Sequence, residues 1–240
     1  MVFRNDPGIY TVTLSMSNYC TPDGPMQISH DVCIESPLDA GFTLDGPADH
    51  CIPYVLNVVN QNANEPPICD NNEYTWGISD FDNGDCNSSN GDWNFAAGGP
   101  GSTQPQFVFH DPGVYTIEMV LENACTDAGL ANPTHFETIT IKGPPVITAI
   151  NGIENGCVGL TINPEVEYEE CYSDIDIYNW TFEQGNPASS INEIPGPVNY
   201  PNSGTFDITI ITENGCGDDE LTEQIVISPE IDGNTITYPS

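Results

Sequence analysis

Positive charge is almost missing from this chain. Its 240 residues include two Lys or Arg against 36 Asp and Glu, a formal net charge of -34. A chain with so few cations cannot neutralise phosphates. This excludes nucleic acid as a partner and argues against anionic membrane surfaces. Charged residues make up only 16 %, so the carboxylates are not crowded; they lack partners. They must be spread apart, screened by salt or matched by metal ions. No cofactor is required by any motif, and Ca2+ is the one ion that the composition invites.

Helix formers are scarce as well. Leu occurs 8 times and Ala 10 times, against 24 Ile and 14 Val, with 21 Pro and 22 Gly as breakers. Branched and aromatic side chains suit a pleated sheet better than a helix, so the expected class is all-β. No apolar run approaches about 18 residues, which predicts no membrane insertion. The first residues, Met1 to Pro7, hold no apolar stretch of the kind that forms an export signal.

Motifs for chemistry are missing too. There is no Gly-x-Ser-x-Gly elbow, zinc helix or phosphate loop, so no residue is assigned a catalytic role and no enzyme is expected. His30 and His135 each stand 10 residues after a cysteine. They read as equivalent structural positions opening a last strand.

What the chain does have is nine cysteines. None forms a Cys-x-x-Cys pair, so disulfides in an oxidising, extracellular setting are expected. Secreted chemistry without an export signal predicts an excerpt of something longer.

One segment occurs three times. Asp6-Pro7-Gly8-Ile9-Tyr10 leads to Asn18-Tyr19-Cys20, Asp111-Pro112-Gly113-Val114-Tyr115 to Asn123-Ala124-Cys125, and Asn202-Ser203-Gly204-Thr205-Phe206 to Asn214-Gly215-Cys216. The cysteine follows 14 residues after the first residue each time, and the copies start 105 and 91 residues apart. Between turn and cysteine, apolar residues alternate strictly, as in Tyr115, Ile117, Met119 and Leu121. Period two marks a half-buried strand.

A second element precedes the first. Cys51 and Cys157 open short apolar stretches, and Trp76 and Trp180 follow 25 and 23 residues later. The order Cys, Trp, Cys with short alternating strands is the pattern of an immunoglobulin-like sandwich. Prolines set the boundaries: 1–36 as the trailing part of a domain, 37–143 and 144–228 as complete domains, and 229–240 as the start of another.

Taken together, these residues resemble polycystic-kidney-disease (PKD) domains, in the flavour of tandem repeats of large Bacteroidota surface proteins exported by the type IX route. The family's Trp-Asp-Phe-Gly-Asp-Gly stretch is eroded here, reading Trp76-Gly77-Ile78-Ser79-Asp80-Phe81 and Trp180-Thr181-Phe182-Glu183-Gln184-Gly185. The resemblance implies tandem PKD-type sandwiches joined by short Pro linkers, acting as a non-catalytic stalk, filament or adhesive segment at the cell surface, with a role in gliding among the readings. Its partners would be further repeats of the same chain, surface glycans or other cell-surface proteins. Two alternatives stand beside it: a carbohydrate-binding appendage of a secreted hydrolase, and a self-assembling extracellular fibre subunit.

The repeat predicts disulfides Cys51–Cys125 and Cys157–Cys216, with Cys69–Cys86 as a local pair around the Trp76 strand. Cys20, Cys33 and Cys171 are left over. Asp80, Asp82 and Asp85 are the candidate Ca2+ ligands, weighed against an acidic solvated loop. The acidic groups around Glu169-Glu170 and Asp218-Asp219-Glu220 are candidate interdomain clamps on the same terms. Residues 82–106 form an insertion holding Trp93 and Phe95. These are candidate glycan contacts, weighed against a lid folded back on the core.

Overall fold

The computed structural model describes residues 6–20, 24–35, 39–46, 49–62, 69, 72–123 and 132–231. Every regular element among them is a β-strand, as the shortage of helix formers requires.

The chain opens with a hairpin. Strand β1 (Gly8–Met16) pairs antiparallel with β2 (Met26–Ile34), from Gly8 opposite Ile34 to Met16 opposite Met26. No second sheet covers it among the described residues, and Ile9, Leu14, Met16, Met26 and Ile28 are all more than half exposed.

The first sandwich follows. Its strands are β3 (Phe42–Asp45), β4 (Asp49–Cys51), β5 (Tyr54–Asn60), β6 (Glu73–Asp82), β7 (Trp93–Ala97), β8 (Gln106–Phe109), β9 (Gly113–Glu122) and β10 (Thr134–Lys142). One sheet runs β3-β5-β8-β7 and the facing one β4-β10-β9-β6. Strand β4 pairs parallel with β10 while the rest are antiparallel. That is the two-sheet order of an immunoglobulin-like domain, with Trp76 on the third core strand.

The second sandwich comprises β11 (Val146–Asn151), β12 (Gly156–Cys157), β13 (Leu160–Ile162), β14 (Glu165–Glu169), β15 (Ile177–Phe182), β16 (Ser189–Ser190), β17 (Val198–Tyr200), β18 (Gly204–Asn214) and β19 (Gly217–Ser228). Its large sheet runs β12-β19-β18-β15-β16, facing the pairs β11-β14 and β13-β17. The two sandwiches have separate cores, one drawn from 42–141 around Trp76 and the other from 147–227 around Trp180.

Alternation builds both cores. In β9, Tyr115, Ile117 and Met119 are fully buried while the residues between them are only partly so. Phe206, Ile208 and Ile210 do the same in β18. Burying each such side chain contributes about 1.5–3 kcal/mol.

The repeated glycine has a steric cause. Gly113 has φ +152°, and a Cβ there would collide with the Phe81 ring and come within 3.1 Å of the Asp82 carbonyl oxygen. Two residues on, the Tyr115 hydroxyl donates back to the Asp111 carbonyl at 2.7 Å, and Tyr10 does the same to Asp6 at 2.7 Å. Each such corner pins the entry of its strand to the preceding turn. Phe206 holds this position in the second sandwich without a hydroxyl.

Candidate functional site

Several hydrogen bonds and two disulfides gather where the two sandwiches meet. Only Gly143-Pro144-Pro145 separates β10 from β11. Two prolines fix φ and remove donors, which makes the linker stiff.

The linker backbone is gripped by the second sandwich. The Gly143 N–H donates to the Cys171 carbonyl at 2.9 Å. The Gly143 carbonyl accepts from Asn214 Nδ2 at 3.0 Å, and the same amide donates to the Ser173 carbonyl at 3.2 Å. Asn214 Oδ1 meanwhile accepts the Cys216 N–H at 2.8 Å. One buried side chain therefore ties the linker, the 171–173 turn and the β18–β19 turn together.

A second set of contacts joins the loop after β6 to the loop after β14. The Tyr172 hydroxyl donates to the Asp82 carbonyl at 3.0 Å, and its backbone N–H donates to Asp85 Oδ1 at 3.2 Å. The Ser88 N–H donates to Glu169 Oε2 at 3.0 Å. The Tyr172 ring lies so close over Gly84, at φ +54°, that no side chain fits there. Burial first, then the Asp82 and Asp85 carboxylates, hold the Tyr172 hydroxyl above its ordinary pKa, so it acts as a neutral donor.

Disulfides complete the joint. Cys51 of β4 bonds to Cys216, with Cα atoms 5.3 Å apart, and Cys86 bonds to Cys171, with Cα atoms 4.4 Å apart. With the linker these give three covalent connections between the two sandwiches. A third disulfide, Cys33–Cys69, ties the hairpin to the first sandwich. Cys20 and Cys157 are free and exposed.

The expected pairings are thus corrected. Cys157 is free and Cys216 bonds to Cys51, because a sandwich places its two repeat cysteines at opposite ends. Cys157 lies opposite Ser228, level with the Gly204 end of β18, whereas Cys216 follows Asn214, ten residues further along. At the rise of a strand that is roughly 33 Å, while a disulfide needs Cα atoms within about 7 Å. Cys51 likewise sits at the Gly113 end of β9, opposite Lys142. Its expected partner Cys125 lies outside the described residues, and Cys51–Cys125 is replaced by Cys51–Cys216. Cys69–Cys86 fails for the same reason: the ten-residue strand β6 stands between them. Cys33 and Cys171, left unpaired by sequence reasoning, are their partners. The missed signal was strand length, which sends the two ends of each unit towards different neighbours.

Asp80, Asp82 and Asp85 do not converge. Asp82 Oδ1 accepts the Gly84 N–H at 2.9 Å and Asp85 faces Tyr172. The one group of three ligand-type side chains brought together among the described residues is Cys86, Glu169 and Cys171. Its two sulfurs are spent on each other. Of the other acidic residues, Glu169 joins the sandwiches, as a hydrogen-bond acceptor, and Asp219 Oδ2 accepts the Ile147 N–H at 2.7 Å.

The insertion is part of the fold. Trp93 and Phe95 sit on β7, half buried, with ring centroids 5.7 and 5.0 Å from Phe107. The lid reading describes this packing. Further along, the Ser102 carbonyl accepts the Trp76 indole N–H at 2.8 Å. Trp180, whose domain lacks the insertion, has a buried indole N–H without a protein partner.

The histidines are dispersed. His135 lies edge-on to Phe42 and meets Glu137 at 3.1 Å. The expected equivalence of His30 and His135 is offset by two residues, since Val12 faces His30 while Met119 faces His135. A cleft of about 370 Å3 opens between β3 and β10, lined by Thr43, Leu44, Glu137 and Thr138. Glu137 on its wall is the residue that meets His135. No described helix is long and apolar enough to cross a membrane.

No protein-family model matches the chain, and no curated protein matches its sequence. Solved structures resemble it in shape. An I-band fragment of titin is 13 % identical with a TM-score of 0.40, over 96 % of this chain and 77 % of that one. The full ectodomain of mouse nectin-like molecule 4 is 10 % identical with a TM-score of 0.40, over 92 % and 74 %. The FN1-FN3 domains of chicken CNTN1 are 16 % identical with a TM-score of 0.41, over 80 % and 66 %. The likeness is one of fold alone, and the fold assignment rests on the strand order described above.

Proposed function

We propose that this chain is a non-catalytic segment of an extracellular array of immunoglobulin-like repeats, whose job is to hold successive units in fixed order and orientation. The observation that carries this reading is that all three described disulfides join different units and none closes a single sandwich. A crosslink within a unit stabilises that unit; a crosslink between units removes a hinge. Such bonds persist only in an oxidising compartment, which supports an extracellular location. The near absence of cations keeps neighbouring copies apart by repulsion, which suits a solvated spacer.

In finer terms, we read the units as PKD-type repeats of a large bacterial cell-surface protein that serves adhesion or gliding. The partners proposed are further repeats of the same chain and other surface proteins or glycans. The uncovered apolar ribbon of β1 and β2 favours one second reading, a fibre in which a neighbouring chain supplies the missing sheet.

Small-angle scattering tests both. The array reading expects a monomeric rod with a fixed angle between the sandwiches, unchanged on dilution. A particle whose length grows with concentration supports the fibre. A distribution of bent and straight shapes under oxidising conditions overturns the rigid array.

A further inference from the structure

We infer that Cys157 is the outgoing half of a second unit-to-unit disulfide, made with the cysteine on the Asn-x-Cys turn of a succeeding sandwich of this kind. The inference rests on the array reading and adds a covalent site to it.

The first sandwich supplies the template. Cys51 lies opposite Lys142 in the parallel β4–β10 pairing, and the next residue, Ile52, donates its N–H to the Lys142 carbonyl at 3.0 Å. Cys157 lies opposite Ser228 in the parallel β12–β19 pairing, and Val158 donates its N–H to the Ser228 carbonyl at 3.0 Å. Lys142 and Ser228 are the last residues of their final strands, and each is followed within two residues by proline. The two cysteines thus occupy the same point on the outgoing end of their sandwiches. Cys51 bonds there to Cys216 of the following unit, whereas Cys157 is free and exposed.

The incoming half also has a repeat. Cys216 is presented by Asn214, whose Oδ1 accepts the Cys216 N–H at 2.8 Å. In the hairpin, Asn18 Oδ1 accepts the Cys20 N–H at 2.8 Å, and Cys20 is again free and exposed. The two described thiols without a partner are therefore one outgoing and one incoming half of the same staple. Closing it joins two sulfurs and releases two protons and two electrons. An oxidised dithiol oxidoreductase, or glutathione disulfide in vitro, accepts both electrons and protons as its own disulfide is reduced to thiols.

The test has two arms. Because residues 147–227 enclose their own core, a second copy of residues 143–231 can be repeated directly after Ser228, with Cys157→Ser and Cys171→Ser in the added copy. After oxidation with glutathione disulfide, non-reducing peptide mapping is expected to link Cys157 to the added copy's Cys216, and alkylation of Cys157 is expected to fall at least tenfold relative to the original chain. A folded extended chain with Cys157 still alkylated overturns the inference, as does indiscriminate linkage of the added thiol. The second arm uses the original chain at high concentration with glutathione disulfide. Links between Cys20 and Cys157 of different copies are expected well above the twofold excess over each symmetric link that random pairing gives; random proportions overturn the inference. If Cys157 stays free while scattering still reports a rigid rod, the staple fails and the array stands.

Discussion

Cys51 and Cys216 stand 165 residues apart in the chain, yet their Cα atoms are 5.3 Å apart across the junction of two sandwiches. That bond, Cys86–Cys171 and the linker make three covalent connections between two units with separate cores. Non-reducing peptide mapping is expected to recover Cys51–Cys216, Cys86–Cys171 and Cys33–Cys69, and not Cys157–Cys216. Replacing Cys86 and Cys171 together by Ser is expected to lower stability by about 2–5 kcal/mol and to broaden the interdomain angle seen by scattering.

Tyr115 gives a test confined to one sandwich. Its hydroxyl bonds to the Asp111 carbonyl at 2.7 Å. Tyr115→Phe is expected to cost about 1 kcal/mol, lowering the melting temperature of the first sandwich by roughly 4–8 °C. The second sandwich, with Phe206 at this place, should melt unchanged in the same calorimetric scan.

Gly113 is predicted to tolerate no side chain. Its positive φ and the Phe81 ring beside it make Gly113→Ala destabilising by about 1–3 kcal/mol. Denaturant unfolding followed through Trp76 measures this. Gly99 has open space around it, and Gly99→Ala is expected to be nearly neutral.

Alkaline pH should act on the second sandwich through Tyr200. Burial, and next the Glu183 carboxylate, push its hydroxyl up to about 12 from the usual 10. A raised folded pKa means that the neutral form is favoured in the fold. The contribution is complete below pH 10 and is lost as pH rises from 10 to 12. Tyr200→Phe is expected to make thermal stability fall less steeply over that window. Equal slopes for the variant and the parent chain would contradict this. Because the hydroxyl is buried without a protein partner, the variant should lose little stability at pH 7.

Calcium at Asp80, Asp82 and Asp85 is open to direct measurement. Separate hydrogen bonds occupy Asp82 and Asp85, so Ca2+ is expected to raise the melting temperature no more than NaCl at equal ionic strength, and EDTA to leave it unchanged. A rise specific to Ca2+, removed by Asp82→Asn, would establish the site.

The sequence by itself determined every link that is local. Alternation of Tyr115, Ile117 and Met119 marked a strand with one buried face, because side chains in a strand point to opposite sides in turn. The glycine before each such strand, the tryptophan on the core strand and the shortage of helix formers followed from sterics and propensity. Tertiary structure alone decided where the strand ends go. A disulfide depends on a few ångströms between sulfurs, and a strand of ten residues carries its two ends about 33 Å apart. Cys51 therefore meets Cys216 of the following unit, and the composition of one unit holds no record of that distance.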